Sequence, residues 1–307
     1  MQTIEETASN LHNALFTSKT KEQDIISIIL QNDSNRRQAI KKYYTAVFNE
    51  KGLADDLKNK LSSYFKDLVT HLFSSPVEYD CFQLQRAFKG MSVDEECVYE
   101  IITNRPFWMI NEIKIKYTEM FQKDLQKEIE KKCSGVIGRN LLILMNTERR
   151  TTKHPDNKKC ENDAKTLYSV TKEEMWGTNE DIFKNIFAKS SPEELVLTMR
   201  YYFKKTGANF IKECDAKLSS KMKVFFRELI YNVINPAEIM ADKVKKAVKG
   251  LGTDTNLLER IIISRHEVDM EAIREYYKDK FKVSIQEDII DDTSGNYQKL
   301  LVALSEK

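Results

Sequence analysis

Apolar side chains recur along this chain at helical spacing, with little of the alternation that marks strands. Near the C-terminus Met240, Val244, Ala247 and Val248 step i, i+4, i+7, i+8 along one face. Leu257, Leu258, Ile261 and Ile262 form a second stripe, and Met270, Ile273 and Tyr277 a third. Ser284-x-x-Glu287 is a capping box, in which each side chain satisfies the other residue's free N–H, and it opens a fourth helix. Tyr297, Leu300, Leu301 and Leu304 complete a fifth. Asn235 stands before Pro236, a capping side chain ahead of a first-turn proline. These stripes predict an all-α chain.

The stripes also repeat. Shifted by 160 positions, Ala87–Leu144 lies on Ala247–Leu304 without a gap. Gly90 then meets Gly250, Asp94 meets Asp254, Arg105 meets Arg265, Tyr117 meets Tyr277 and Ser134-Gly135 meets Ser294-Gly295. Ile28-Ile29, Tyr44 and Phe48 continue the pattern in an N-terminal unit, and Ile186-Phe187, Tyr202, Phe210 and Ser219 in a third. Repeats of this length bury their apolar faces against one another. The expected divisions are 1–75 (with a short tail over 1–5), 76–147, 148–233 and 234–307, each holding five helices. The third division begins with a polar, basic segment, Asn146–Asp163, which reads as a solvated connector between two halves.

Charge narrows the function. Lys plus Arg number 49 against 47 Asp plus Glu, a net charge of +2, which argues against a dedicated nucleic-acid binder. No apolar run reaches the roughly 18–20 residues of a membrane span. The first residues lack the basic and apolar regions of a secretory signal. The five cysteines are scattered without a CxxC, as expected of reduced thiols in an intracellular protein. Four histidines lie far apart, without zinc-motif spacing.

One loop carries chemistry. Val248-Lys-Gly-Leu-Gly-Thr-Asp254 places two glycines around one residue between two helices. Glycine admits backbone conformations in which carbonyls turn outward and converge, which suits a hard cation such as Ca²⁺ better than a phosphate. A simple inter-helix turn is the alternative. Asp292 follows the second glycine by 40 residues, in Asp291-Asp292-Thr-Ser-Gly295. For Asp292 to reach the loop, the third helix must cross the others so that the fourth runs back.

Lys249-Gly-Leu-Gly-Thr-Asp254 with Asp292-Thr-Ser-Gly295 resembles an annexin repeat, and Trp176-Gly-Thr-Asn-Glu180 resembles the third annexin repeat's variant of the loop. Four units, the middle connector and the length agree. The divergence resembles a protozoan branch such as the alpha-giardins. The resemblance implies four five-helix repeats arranged as a compact, slightly curved disc. It also implies Ca²⁺ held by the carbonyls of Val248, Gly250 and Gly252 and by Asp292, and lipid phosphoryl oxygens completing the shell. Lys249 and Leu251 would face the membrane; Leu251 either dips among headgroups or half-packs on the bundle.

The other three loops read as degraded. Asp292 corresponds to Lys60, Lys132 and Lys217, and an ammonium offers no lone pair to a cation. No site of this type is expected there, apart from a weaker one in the third unit through Met175 and Gly177. The three lysines are either ordinary solvated side chains or contacts for an acidic leaflet. Trp176 either caps the bundle or enters the bilayer interface. The expected function is calcium-dependent peripheral binding to acidic phospholipid membranes, at the cytoplasmic face and without catalysis. The alternative is a cytoskeleton-associated structural protein with weak or lost calcium dependence. Adjacent acids such as Asp291-Asp292 and Glu173-Glu174 point in different directions on a helix and read as solvated, not as an acid/base pair.

Overall fold

The computed structural model describes residues 2–17, 20–172, 178–250 and 252–306. Among these, every regular element is helical. The first five helices are α1 (Ile4–Phe16), α2 (Glu22–Gln31), α3 (Ser34–Val47), α4 (Leu53–Lys60) and α5 (Ser63–Leu72). The next five are α6 (Pro76–Lys89), α7 (Glu95–Asn104), α8 (Phe107–Phe121), α9 (Leu125–Lys132) and α10 (Gly135–Met145). The third set is α11 (Asn157–Lys172), α12 (Glu180–Phe183) with a π-helical turn over Lys184–Ala188, α13 (Pro192–Thr206), α14 (Phe210–Lys217) and α15 (Ser220–Ile234). The last is α16 (Pro236–Ala247), α17 (Thr255–Arg265), α18 (Met270–Phe281), α19 (Ile285–Asp292) and α20 (Gly295–Ser305). No helix is long and apolar enough to cross a membrane among the described residues.

The four sets share local devices that explain their common geometry. A seven-residue hydrogen-bonded loop follows the first helix in three of them. The N–H of Lys21 donates to Ala14 O (2.9 Å), that of Asp94 to Ala87 O (3.1 Å) and that of Asp254 to Ala247 O (2.8 Å). Asp94, Asn179 and Asp254 then cap the second helix, accepting from the N–H groups of Cys97, Ile182 and Leu257. This capping role explains the acid matched at 94 and 254. A tyrosine of the third helix is buried in each set: Tyr44, Tyr117, Tyr202 and Tyr277. Tyr44 Oη donates to Asp56 Oδ2 (2.7 Å), and Tyr277 Oη donates to Asp288 of α19. The predicted capping box opens α19, with Glu287 N donating to Ser284 Oγ (3.1 Å) and Ser284 N donating to Glu287 Oε2 (2.7 Å). Asn235 closes α15 as its C-cap, immediately before Pro236.

The fifth helix starts in a left-handed conformation at Gly135 (φ 76°) and Gly295 (φ 70°), and also at Ser63 (φ 52°). Serine lacks glycine's freedom there, so Ser63→Gly is expected to stabilise the chain by about 0.5–1 kcal/mol. Thermal unfolding measures this.

The chain packs as two compact units. One comprises residues 1–79 with 237–307, and the other residues 80–236. The segment expected to be a solvated connector between two halves therefore lies inside one unit. Its basic residues are used locally. Arg149 Nη1 donates to Ser190 O (2.7 Å), and burial pushes the Arg149 guanidinium down to about 10. The Arg150 N–H donates to Lys189 O (2.9 Å), and its guanidinium pairs with Glu194 Oε2 (2.8 Å). A run of basic residues without apolar periodicity gave no sign of these distant acceptors. In the same unit Arg105 Nε and Nη2 grip Asp80 at 2.6 and 2.9 Å. All five cysteines are buried thiols outside any disulfide, and burial pushes the Cys133 thiol up to about 11.

Candidate functional site

The glycine loop and the distant aspartate meet. Thr253 Oγ1 lies 2.9 Å from the backbone O of Asp292 and 2.8 Å from its Oδ2. The end of α19 thus lies at the loop after α16. Thr253 went unremarked in the sequence, although it directly follows Gly252. Among the described residues no hydrogen bond or ion pair reaches Asp292 Oδ1.

Gly250 and Gly252 have φ of 123° and 91°, values that L side chains rarely adopt. No neighbour crowds either glycine, so the backbone conformation is what requires them. Lys249 is exposed, Val248 and Asp292 are half-buried, and Leu251 lies outside the described residues. In the second set Gly90 is not among the residues with positive φ, and Ser92 replaces the second glycine. The loop backbone therefore differs as well as the acid. Met175, Trp176 and Gly177 of the third loop fall outside the described residues, as do Glu173, Glu174 and Lys19.

The fourth helix tells the sharper story. α4, α9, α14 and α19 are each eight residues long and end on Lys60, Lys132, Lys217 and Asp292. A helix C-terminus carries partial negative charge and favours a cation. Three of the four obey this rule. α19 breaks it, with Asp291 and Asp292 in its last turn and no basic residue there. Local rules broken without local compensation mark functional sites. A bound cation would remove the conflict.

No cluster of three or more His, Cys, Asp or Glu side chains fit to hold a metal occurs among the described residues. An ion at this loop would therefore rely on main-chain oxygens, with Asp292 as the charged ligand. The all-oxygen donor set fits a hard divalent cation of the calcium class. A cavity of about 440 Å³ opens beside Asp292, lined among others by Glu22, Tyr64, Thr253, Asn296 and Tyr297. Asn296 Nδ2 donates to Glu22 Oε2, tying the start of α20 to the start of α2.

The annexin family model matches residues 6–72, 79–144 and 240–304, which fall on the first, second and fourth helix sets. This chain belongs to the annexin family. It is similar to annexin A13 of Homo sapiens, 32% identical over 301 residues, covering 98% of this chain and 95% of that protein. The solved structure of annexin III superposes with a TM-score of 0.93 at 30% identity, covering 100% of this annexin and 94% of that chain. The calcium-bound structure of alpha-14 giardin shares the fold, with a TM-score of 0.82 at 19% identity over 99% of this chain and 100% of that one. Family membership carries calcium-dependent phospholipid binding as the general property of the group.

The lysines that replace the acid differ in their surroundings. Lys217 Nζ pairs with Glu213 (3.0 Å) and donates to Thr171 O (3.4 Å). Lys60 Nζ sits 4.4 Å from the centroid of the Phe16 ring. Neither Lys60 nor Lys132 has a carboxylate partner among the described residues.

Proposed function

We propose that this annexin binds acidic phospholipid surfaces peripherally and that its calcium dependence resides in the fourth repeat. The carbonyls of Val248, Gly250 and Gly252 and the carboxylate of Asp292 hold the ion. Bound there, calcium would supply open coordination positions for lipid phosphoryl oxygens, since these ligands fall short of its usual 6–8. The observation that carries the reading is Asp292 beside the glycine loop, at a helix end where the other three repeats place lysine. Thr253 orients the carboxylate. Lys249 and Leu251 face the headgroups, joined by Trp176 and by Lys60, Lys132 and Lys217. A weaker ion site at Met175 and Gly177 belongs to the same reading. The protein acts by binding, at the cytoplasmic face of a membrane.

The three lysines at acid positions favour a second reading, a cytoskeletal protein with reduced calcium dependence. Vesicle sedimentation with calcium or chelator, at low and high salt, separates the two. Calcium should raise binding to acidic vesicles at both salt concentrations, because a coordinated ion is screened less than a solvated charge. Equal sedimentation with calcium and with chelator would overturn the first reading. Co-sedimentation with actin or microtubules but not with vesicles would establish the second.

A further inference from the structure

In the first repeat an ammonium group bridges the segments that a calcium ion would join in the fourth. Phe16 is the last residue of α1 and Lys60 the last of α4. The loop closures at Ala14 and Ala247 align Phe16 with Lys249, and the helix ends align Lys60 with Asp292. Lys60 Nζ lies over the Phe16 ring, at 4.4 Å.

We propose that Lys60 and Phe16 form a calcium-independent contact for the phosphate groups of an anionic lipid surface. The inference rests on the reading above, in which this end of the repeat faces the membrane. An ammonium has three donors, and the ring occupies one side of it. Lys60 is exposed and has no carboxylate partner among the described residues, so its donors are solvated and can pass to phosphate oxygens. Phe16 is 44% exposed, placing an aromatic face where interfacial aromatics are favoured.

The ring is held ready. His12 stacks on Phe16 at 4.6 Å and on Phe48 at 4.4 Å, and its Nδ1 lies 3.2 Å from Tyr44 Oη. Tyr44 is itself fixed to Asp56 of α4. The support thus runs from the helix that carries Phe16 to the helix that carries Lys60. Other repeats lack the pair. Lysine stands at the Phe16 position in the second and fourth, as Lys89 and Lys249. In the third, Lys217 is already paired with Glu213.

The test is sedimentation of the full chain with phosphatidylglycerol–phosphatidylcholine vesicles in chelator at low salt. Lys60→Gln should weaken this binding about fivefold. Phe16→Ser should weaken it in the same direction, and Lys60→Arg should restore it to within about twofold of the parent, since the arginine keeps the charge. In calcium at high salt, where screening weakens the lysine's contribution, the deficit of Lys60→Gln relative to the parent should narrow. Equal binding of Lys60→Gln and parent in chelator, or no parent binding in chelator at low salt, would overturn the inference. Failure of the parent to respond to calcium, with the Lys60 effect intact, would instead remove the fourth-repeat reading and leave this contact standing.

Discussion

Asp292→Asn is expected to lower calcium-dependent vesicle binding by about 100-fold while leaving the chain folded. The substitution removes the one charged ligand in a site whose other proposed donors are neutral carbonyls. It keeps an acceptor for Thr253, whose hydroxyl lies 2.8 Å from Oδ2. A loss of binding therefore reports the charge and not a collapsed loop. The same variant has a second signature of opposite sign. Without calcium, removing an acid from the end of α19 relieves its conflict with the helix dipole, so the apo chain should gain about 0.3–1 kcal/mol. Asp292→Lys, which copies the other three repeats, should gain at least as much. Thermal unfolding with and without calcium reads both effects. A variant that is both less stable without calcium and unchanged in calcium response would contradict the assignment.

Asp80→Ala should destabilise the chain by about 3–5 kcal/mol, the largest stability effect expected of any single substitution considered. Asp80 is 2% exposed and receives two hydrogen bonds from Arg105, at 2.6 and 2.9 Å. Removing the carboxylate leaves a guanidinium in a poorly solvated position with its partner gone. Replacing both residues by leucine should cost much less, because the double change removes the charge along with its partner. Urea unfolding of Asp80→Leu, Arg105→Leu and the double leucine variant completes the cycle. A cost below about 1 kcal/mol for Asp80→Ala would show that water reaches Arg105 freely.

The fold was legible where periodic constraints act. The column that aligns Lys60, Lys132, Lys217 and Asp292 was read from spacing, with one inserted residue allowed before Leu53 in the first repeat, and all four residues end their helices in the structure. Apolar stripes and the serine after each fourth helix fix that register, so even a repeat without its chemistry keeps its place. The meeting of Asp292 with the glycine loop was legible through the annexin resemblance, which joins two segments standing 40 residues apart in the fourth repeat alone. Pairings without a period were not legible. Arg105 matches Arg265 in sequence, yet Arg105 pairs with Asp80 whereas Arg265 pairs with Asp269, four residues on. Met240 stands where the second repeat has Asp80. The partners of the connector's arginines were hidden for the same reason. Arg149 and Arg150 find acceptors about 40 residues away, at Ser190 and Glu194, and nothing in a basic run announces them. Ser63 was invisible because a left-handed serine has no signature in sequence; only its glycine counterparts do.

The most direct measurement is anomalous diffraction from crystals grown with calcium or a lanthanide substitute. The account predicts a peak within coordination distance, about 2.3–2.6 Å for calcium, of an Asp292 carboxylate oxygen and of the main-chain oxygens of Val248, Gly250 and Gly252. Peaks elsewhere on the molecule, with none between that loop and Asp292, would contradict it.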